Sequence, residues 1–180
     1  MDRLVVSTDV YADPETVYEF LLEFPRYERY SEYLDSVERT GGDGGAGSRY
    51  AMRFSWWKLT YTAHSEVTDV DPPYRIDWRV VKDIDAHGAW QIDPLDSLPA
   101  DAPADAESGC EVRFEVQFDA ESADASAVSL PAMVSFGWVL DKVTPLVREE
   151  AERVVKRAVR DLEGRDRPVR LDVDTNSAEL

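Results

Sequence analysis

The side chains with reactive chemistry are few: two histidines, His64 and His87, and one cysteine, Cys110. A protein metal site needs three or four convergent ligands, which two separated histidines and one thiol do not supply. Neither a metal nor a cofactor is expected, and no catalytic residue is assigned. Nothing adjacent to Cys110 would lower its pKa, so it reads as a small packing residue. Alternation places His64 with Thr60, Thr62 and Glu66 on a polar strand face. A register shift of one residue would turn it inward as a candidate base. Gly42-Asp43-Gly44-Gly45-Ala46-Gly47 matches G-x-G-x-x-G. That fingerprint binds a dinucleotide only where a strand, the turn and then a helix follow in order. Here Ser48 to Phe54 alternates as a strand, so the glycines read as a flexible inter-strand loop and a candidate gate.

The aromatic residues carry the stronger signal. Tyr50, Met52, Tyr61, Trp78, Trp90 and Phe114 fall on the apolar faces of their strands, and Phe136 and Leu140 on the apolar stripe of a helix. They would either fill a core or line a ligand cavity. Tyr and Trp bring polar tips that need partners, and four such tips on one covered face favour the cavity. Trp56-Trp57 sits on a hairpin, either packed against a neighbour or exposed as a transient membrane or partner contact. Arg75, Asp77, Arg79, Arg113 and Glu115 are expected as cross-strand ion pairs on the solvent face.

The elements that hold these residues follow from periodicity. Residues 3–11 read as a strand with Leu4, Val6, Thr8 and Val10 on one face. Asp13-Pro14-Glu15 opens a helix with an N-cap, a first-turn proline and an acid near the positive end of the dipole. Pro25 ends it, and Arg26 to Leu34 is a second short helical piece. Strands follow over 36–40, 49–54, 59–69, 74–80, 86–92 and 110–118, the last with Val112, Phe114, Val116 and Phe118 opposing Glu111, Arg113, Glu115 and Gln117. Such alternation means an antiparallel sheet with one covered face. Asp93 to Ser108 is rich in Asp, Ala, Pro and Ser and reads as a solvated, mobile insert. Phe136, Leu140, Val143, Val147, Ala151, Val154, Ala158 and Leu162 form one long helical stripe. Pro145 is expected to kink or break that helix, and Gly164 to stop it. The domain then spans 1–164, with 165–180 a polar, frayed tail.

The expected fold class is α+β. A curved antiparallel sheet of about six to seven strands wraps a long C-terminal helix, and two short helices follow the first strand. A one-faced sheet must be covered, and the final helix is the element long enough to do it. This arrangement resembles the START-like, helix-grip (SRPBCC) superfamily, particularly its polyketide cyclase/dehydrase and coenzyme-Q-binding branch. The resemblance rests on Ala12 to Phe20, on Phe24-Pro25-Arg26-Tyr27-Glu28-Arg29-Tyr30, and on the strand motifs at Gly47 to Tyr50, Pro72 to Ile76, Gly88 to Ile92 and Gly109 to Phe114. It covers residues 3–163 and implies an apolar-ligand pocket for lipids, quinones, polyketides or sterols. The expected function is binding of a small hydrophobic ligand between sheet and helix, for transport or chaperoning. The alternative is a cyclase/dehydrase-type enzyme in the same cavity, and a third reading is a partner-binding module.

Charge narrows the partners. The 180 residues hold 20 Lys+Arg against 37 Asp+Glu, a formal net charge of −17. That excess argues against nucleic acid, which needs a basic stripe. Four of the basic residues are Lys and 16 are Arg, and 21 Asp outnumber 16 Glu. Short acids with scarce lysine suggest a chain adapted to high salt, where carboxylate repulsion is screened. No stretch reads as an export signal or a transmembrane span, so a cytoplasmic location is expected.

Overall fold

The structure is a computed structural model that describes residues 1–128 and 136–176, and of residues 125, 136–141, 143, 144, 147 and 148 the backbone alone. The chain runs β1 (Asp2–Val10), α1 (Pro14–Leu22), a 3-10 turn (Phe24–Arg29), β2 (Leu34–Gly41), β3 (Arg49–Trp56), β4 (Leu59–Asp71), β5 (Arg75–Val80), β6 (Asp85–Pro94), β7 (Cys110–Asp119), α2 (Phe136–Glu163) and β8 (Asp172–Thr175). The strands form one antiparallel sheet of eight, ordered β2-β3-β4-β5-β6-β7-β1-β8. The fold class is as expected, with one more strand.

Each short element has a local cause. Asp13 caps α1 by accepting from the Thr16 N–H at 3.0 Å, and Pro14 occupies the first turn, where its missing donor costs nothing. Pro25 starts the 3-10 turn rather than merely ending α1. Tyr30 ends that turn and donates its hydroxyl to Asp161 of α2 at 2.8 Å. Burial and this bond push the Tyr30 phenol up to about 12.

Antiparallel order sorts the connections to two ends. The glycine loop 42–48, the Pro72–Tyr74 turn, the 95–109 insert and α1 share one end. The β3–β4 hairpin, the β5–β6 turn and the segment after β7 share the other. The α1 end is closed by core. Val17, Val67, Ile76, Ile92 and Cys110 are fully buried there, with Phe24 stacked on Tyr50 at 4.9 Å. Burial raises the Cys110 thiol to about 12, which leaves it inert.

One expectation is corrected and two are narrowed. Of the kink or break expected at Pro145, the break is excluded, since α2 runs Phe136–Glu163 through it. The proline itself is exposed. Residues 172–175, expected in a frayed tail, pair with Ser7 to Leu4 of β1 and extend the sheet. The insert is solvated as expected, and it touches the rest of the chain where the Asp105 carboxylate accepts from the Arg165 guanidinium beyond the end of α2.

Gly88 shows how the concave face is packed. It pairs with Trp78 on β5 and Val116 on β7. A Cβ there would lie 2.0 Å from the Glu115 carbonyl oxygen and 2.7 Å from the Trp78 ring. The missing side chain lets the Trp78 indole lie over the strand and stack on Phe114, centroids 5.6 Å apart and 7° from parallel. Gly88→Ala is therefore expected to cost about 2 kcal/mol or more and to weaken the near-ultraviolet aromatic dichroism. An unchanged unfolding midpoint would contradict this packing.

Candidate functional site

Between the concave sheet face and α2 lies a cavity of about 730 Å³. Its wall follows from the alternation of three strands and the stripe of one helix. Leu4, Val6 and Thr8 come from β1, Val112 and Phe114 from β7, and Trp90 from β6. Ala151, Val154, Ala158 and Leu162 face them from α2. Phe20 and Leu21 of α1 border the cavity toward the closed end, and its lining runs out through Trp56, Leu59, Asp83 and Val128 at the hairpin end.

The predicted wall residues divide. Tyr61, Trp90 and Phe114 line the cavity. Tyr50, Met52 and Trp78 do not. Tyr50 is 2% exposed and is consumed by the stack on Phe24. Met52 packs against the core, its sulfur accepting the Ser65 hydroxyl at 3.7 Å. Trp78 is taken up by its stack over Gly88 and Phe114, with its buried indole N–H unpartnered. The side chains of Phe136 and Leu140 lie outside the described residues. Leu171 also lines the cavity, a residue in the stretch expected to fray. Its signal is absent from any local pattern, because it reaches the wall only once the chain turns back along β1.

Polar groups on the wall are sparse. The lining holds three carboxylates, Asp83, Asp124 and Glu150, and neither histidine. Glu150 is 6% exposed. One carboxylate oxygen accepts from the Glu32 N–H at 3.1 Å, and the other has no hydrogen bond, though an Arg153 guanidinium nitrogen stands 3.5 Å away. The Tyr61 phenol is raised by burial and, secondarily, by Asp83. Among the described residues no three His, Cys, Asp or Glu side chains gather as a metal site. Among them, too, no helix is long and apolar enough to cross a membrane.

Two motifs find other places. The glycine loop lies at the closed end and contributes nothing to the cavity wall, so it is not the gate it could have been. Gly42, Gly44 and Gly47 adopt positive φ, and the loop is tied by Gly47 N–H to the Val67 carbonyl at 2.7 Å and Gly44 N–H to the Ser48 hydroxyl at 2.8 Å. The hairpin tip holds Trp57 at φ 54°, with 58% of the residue exposed and the Lys58 ammonium 5.6 Å from its ring centroid.

The comparisons with known proteins agree with this architecture. A family model described as polyketide cyclase / dehydrase and lipid transport matches residues 1–165. The chain belongs to that family. No curated protein matches it. Among solved structures it is similar to the Zhui aromatase/cyclase from Streptomyces sp. R1128, at 15% identity and TM-score 0.61, covering 91% of this chain and 94% of that one. It is similar to a START superfamily protein from Mycobacterium smegmatis, at 14% identity and TM-score 0.59, covering 89% and 99%. A protein from Thermus thermophilus aligns at 18% identity and TM-score 0.57, covering 90% and 97%. At such identities the likeness speaks for the fold alone, and function has to be argued from this family member's own cavity.

Proposed function

We propose that this family member binds a small apolar molecule between sheet and α2, and carries or shields it rather than transforming it. The observation that supports this reading is the cavity itself: about 730 Å³, walled by aliphatic and aromatic side chains from β1, β6, β7, α1 and α2. Removing about 300 Å² of ligand surface from water would contribute roughly 7 kcal/mol before ordering costs, enough for useful affinity. An isoprenoid such as a quinone, or a lipid, fits such a wall. The charge pattern suggests a carrier adapted to high salt, and the single cysteine suits a cytoplasmic setting.

The rival is a cyclase/dehydrase-type enzyme, and one observation favours it. Glu150 is a buried carboxylate on the cavity wall with an oxygen that no hydrogen bond occupies. An acid–base role needs such a group within reach of the substrate.

The test is native mass spectrometry and organic extraction of protein prepared from its own host at high salt. A reproducible apolar molecule is expected in the wild type. In Ala158→Trp, which places an indole in the cavity, occupancy is expected to fall at least about tenfold, as steric exclusion of a ligand from a close-packed space demands. Equal occupancy in both proteins would overturn the cavity reading. Conversion of the extracted molecule by wild type but not by Glu150→Gln would select the enzyme.

A further inference from the structure

Among the described residues the sheet has a gap beside the cavity. Strand β4 begins at Leu59, but its ladder with β5 begins only at Ser65, opposite Val80, with the Val81 N–H to the His64 carbonyl as the last contact. Leu59 to Ala63 therefore pair with β3 alone among the described residues. On the far side of the gap the β5–β6 turn passes through Asp83, held at φ 74°. Thr60 and Asp83 border the apolar cavity, and they also border a second hollow of about 320 Å³. That hollow is lined further by Arg53, Thr62, His64, Lys82 and Ala127.

Strand geometry explains why these groups converge. Thr60, Thr62 and His64 alternate onto the outer face of β4, and Arg53 sits on β3 directly opposite Thr62. Lys82, one of four lysines in the chain, approaches from the turn. Two cations, an imidazole and two hydroxyls thus line the hollow together with one carboxylate, Asp83, while Asp35 and Asp124 stand beside the cations from outside it. The existing pairings of the cations are loose. Arg53 lies 3.8 Å from Asp35 and Lys82 lies 3.9 Å from Asp83, both side chains more than half exposed. Asp124 also faces Lys82, whereas Glu66, next along the β4 face, is engaged by Arg79 and Arg49. An anionic group in the hollow would have donors from Arg53, Lys82 and the threonines on its walls.

We infer that this hollow is the head-group site of the cavity's ligand, and that the ligand is an anionic amphiphile: a phosphate or carboxylate head outside the sheet, an apolar tail passing the β4–β5 gap into the cavity. The inference rests on the cavity-binding reading and adds the class of molecule. Charge-assisted hydrogen bonds in a partly enclosed site fix a head group, while the tail supplies most of the apolar burial.

Dodecyl phosphate and dodecanol separate the two claims, titrated by calorimetry at one ionic strength. The wild type is expected to bind the phosphate about tenfold more tightly than the alcohol. The double variant Arg53→Gln/Lys82→Gln is expected to lose that advantage and keep its affinity for dodecanol, which also reports an intact fold. Equal affinities for both probes in the wild type would overturn the head-group assignment and leave the cavity reading standing. Binding of neither probe would overturn both. Full competition by inorganic phosphate at its own low concentration would mark a free-anion site and refute the coupling of head to tail.

Discussion

Glu163→Ala is expected to destabilise the protein by about 3–5 kcal/mol, the cost of stripping one partner from a buried ion pair. The Glu163 side chain is fully buried at the end of α2. Its two oxygens accept from Arg167 Nε and Nη2, each at 2.7 Å, and one also accepts from the Tyr11 N–H at 3.1 Å. Arg167, with 16% of its side chain exposed, donates to the Asp9 carbonyl at 2.8 Å and lies 4.6 Å from the Tyr11 ring centroid. One bidentate pair thus joins the end of β1, the end of α2 and the segment that leads to β8. Without Glu163 the guanidinium loses its carboxylate in a site that water barely reaches. For a chain of this size the loss corresponds to roughly 6–20 °C in Tm. Urea unfolding gives the free energy, and a loss below about 1 kcal/mol would mean that the pair behaves like an exposed one. Glu163→Gln keeps an acceptor for the Tyr11 N–H and should fall between the two.

Raising KCl from 0.1 M to 2 M is expected to raise Tm by roughly 10 °C or more. Two effects oppose each other. Salt weakens the exposed pairs, such as Arg75–Asp77 and Arg79–Glu66, but each of these contributes only about 0.2–1 kcal/mol. Salt also screens the repulsion among 37 carboxylates that have 20 cations to balance them. The Debye length falls from about 10 Å to below about 3 Å over this range, so the repulsion is nearly abolished. The second effect should win because the excess of 17 negative charges is spread over the whole surface. The buried Glu163–Arg167 pair is insulated from screening and does not offset it. Equal or lower Tm at 2 M KCl would dismiss the reading of this chain as salt-adapted.

The two expected results draw on different information, and the same division runs through the fold. The alternation of Val112, Phe114, Val116 and Phe118 is visible in the residues alone, because side chains on a strand must point to opposite faces. The capping of α1 by Asp13 and Pro14 is equally local. The helical stripe through Ala151, Val154, Ala158 and Leu162 predicted the wall that α2 presents to the cavity. Alternation likewise put His64 beside Thr60 and Thr62, and they share the outer hollow.

What local pattern could not convey was depth along the strands. Tyr50 and Tyr61 both point inward, yet Tyr50 lies in the packed closed end and Tyr61 on the open wall. Alternation reports the face of the sheet and carries no information on which partner arrives above it. Phe24, delivered by the 3-10 turn, decides the fate of Tyr50. Trp78 left the wall for a similar reason, since the absent side chain of Gly88, two strand positions of β6 away from Trp90, opened a slot for its ring.

Composition and periodicity were therefore sufficient for the strands up to β7, the two helices, the covered face and the acidic charge, since each depends on neighbours close in the chain; the family resemblance rested on the motifs themselves. The cavity's extent, the gap at the start of β4, the Glu163–Arg167 clasp and the return of residues 172–175 to β1 all join residues far apart in sequence. Such contacts form only when the whole chain has closed, and no local periodicity encodes the distance between two side chains that are strangers until then.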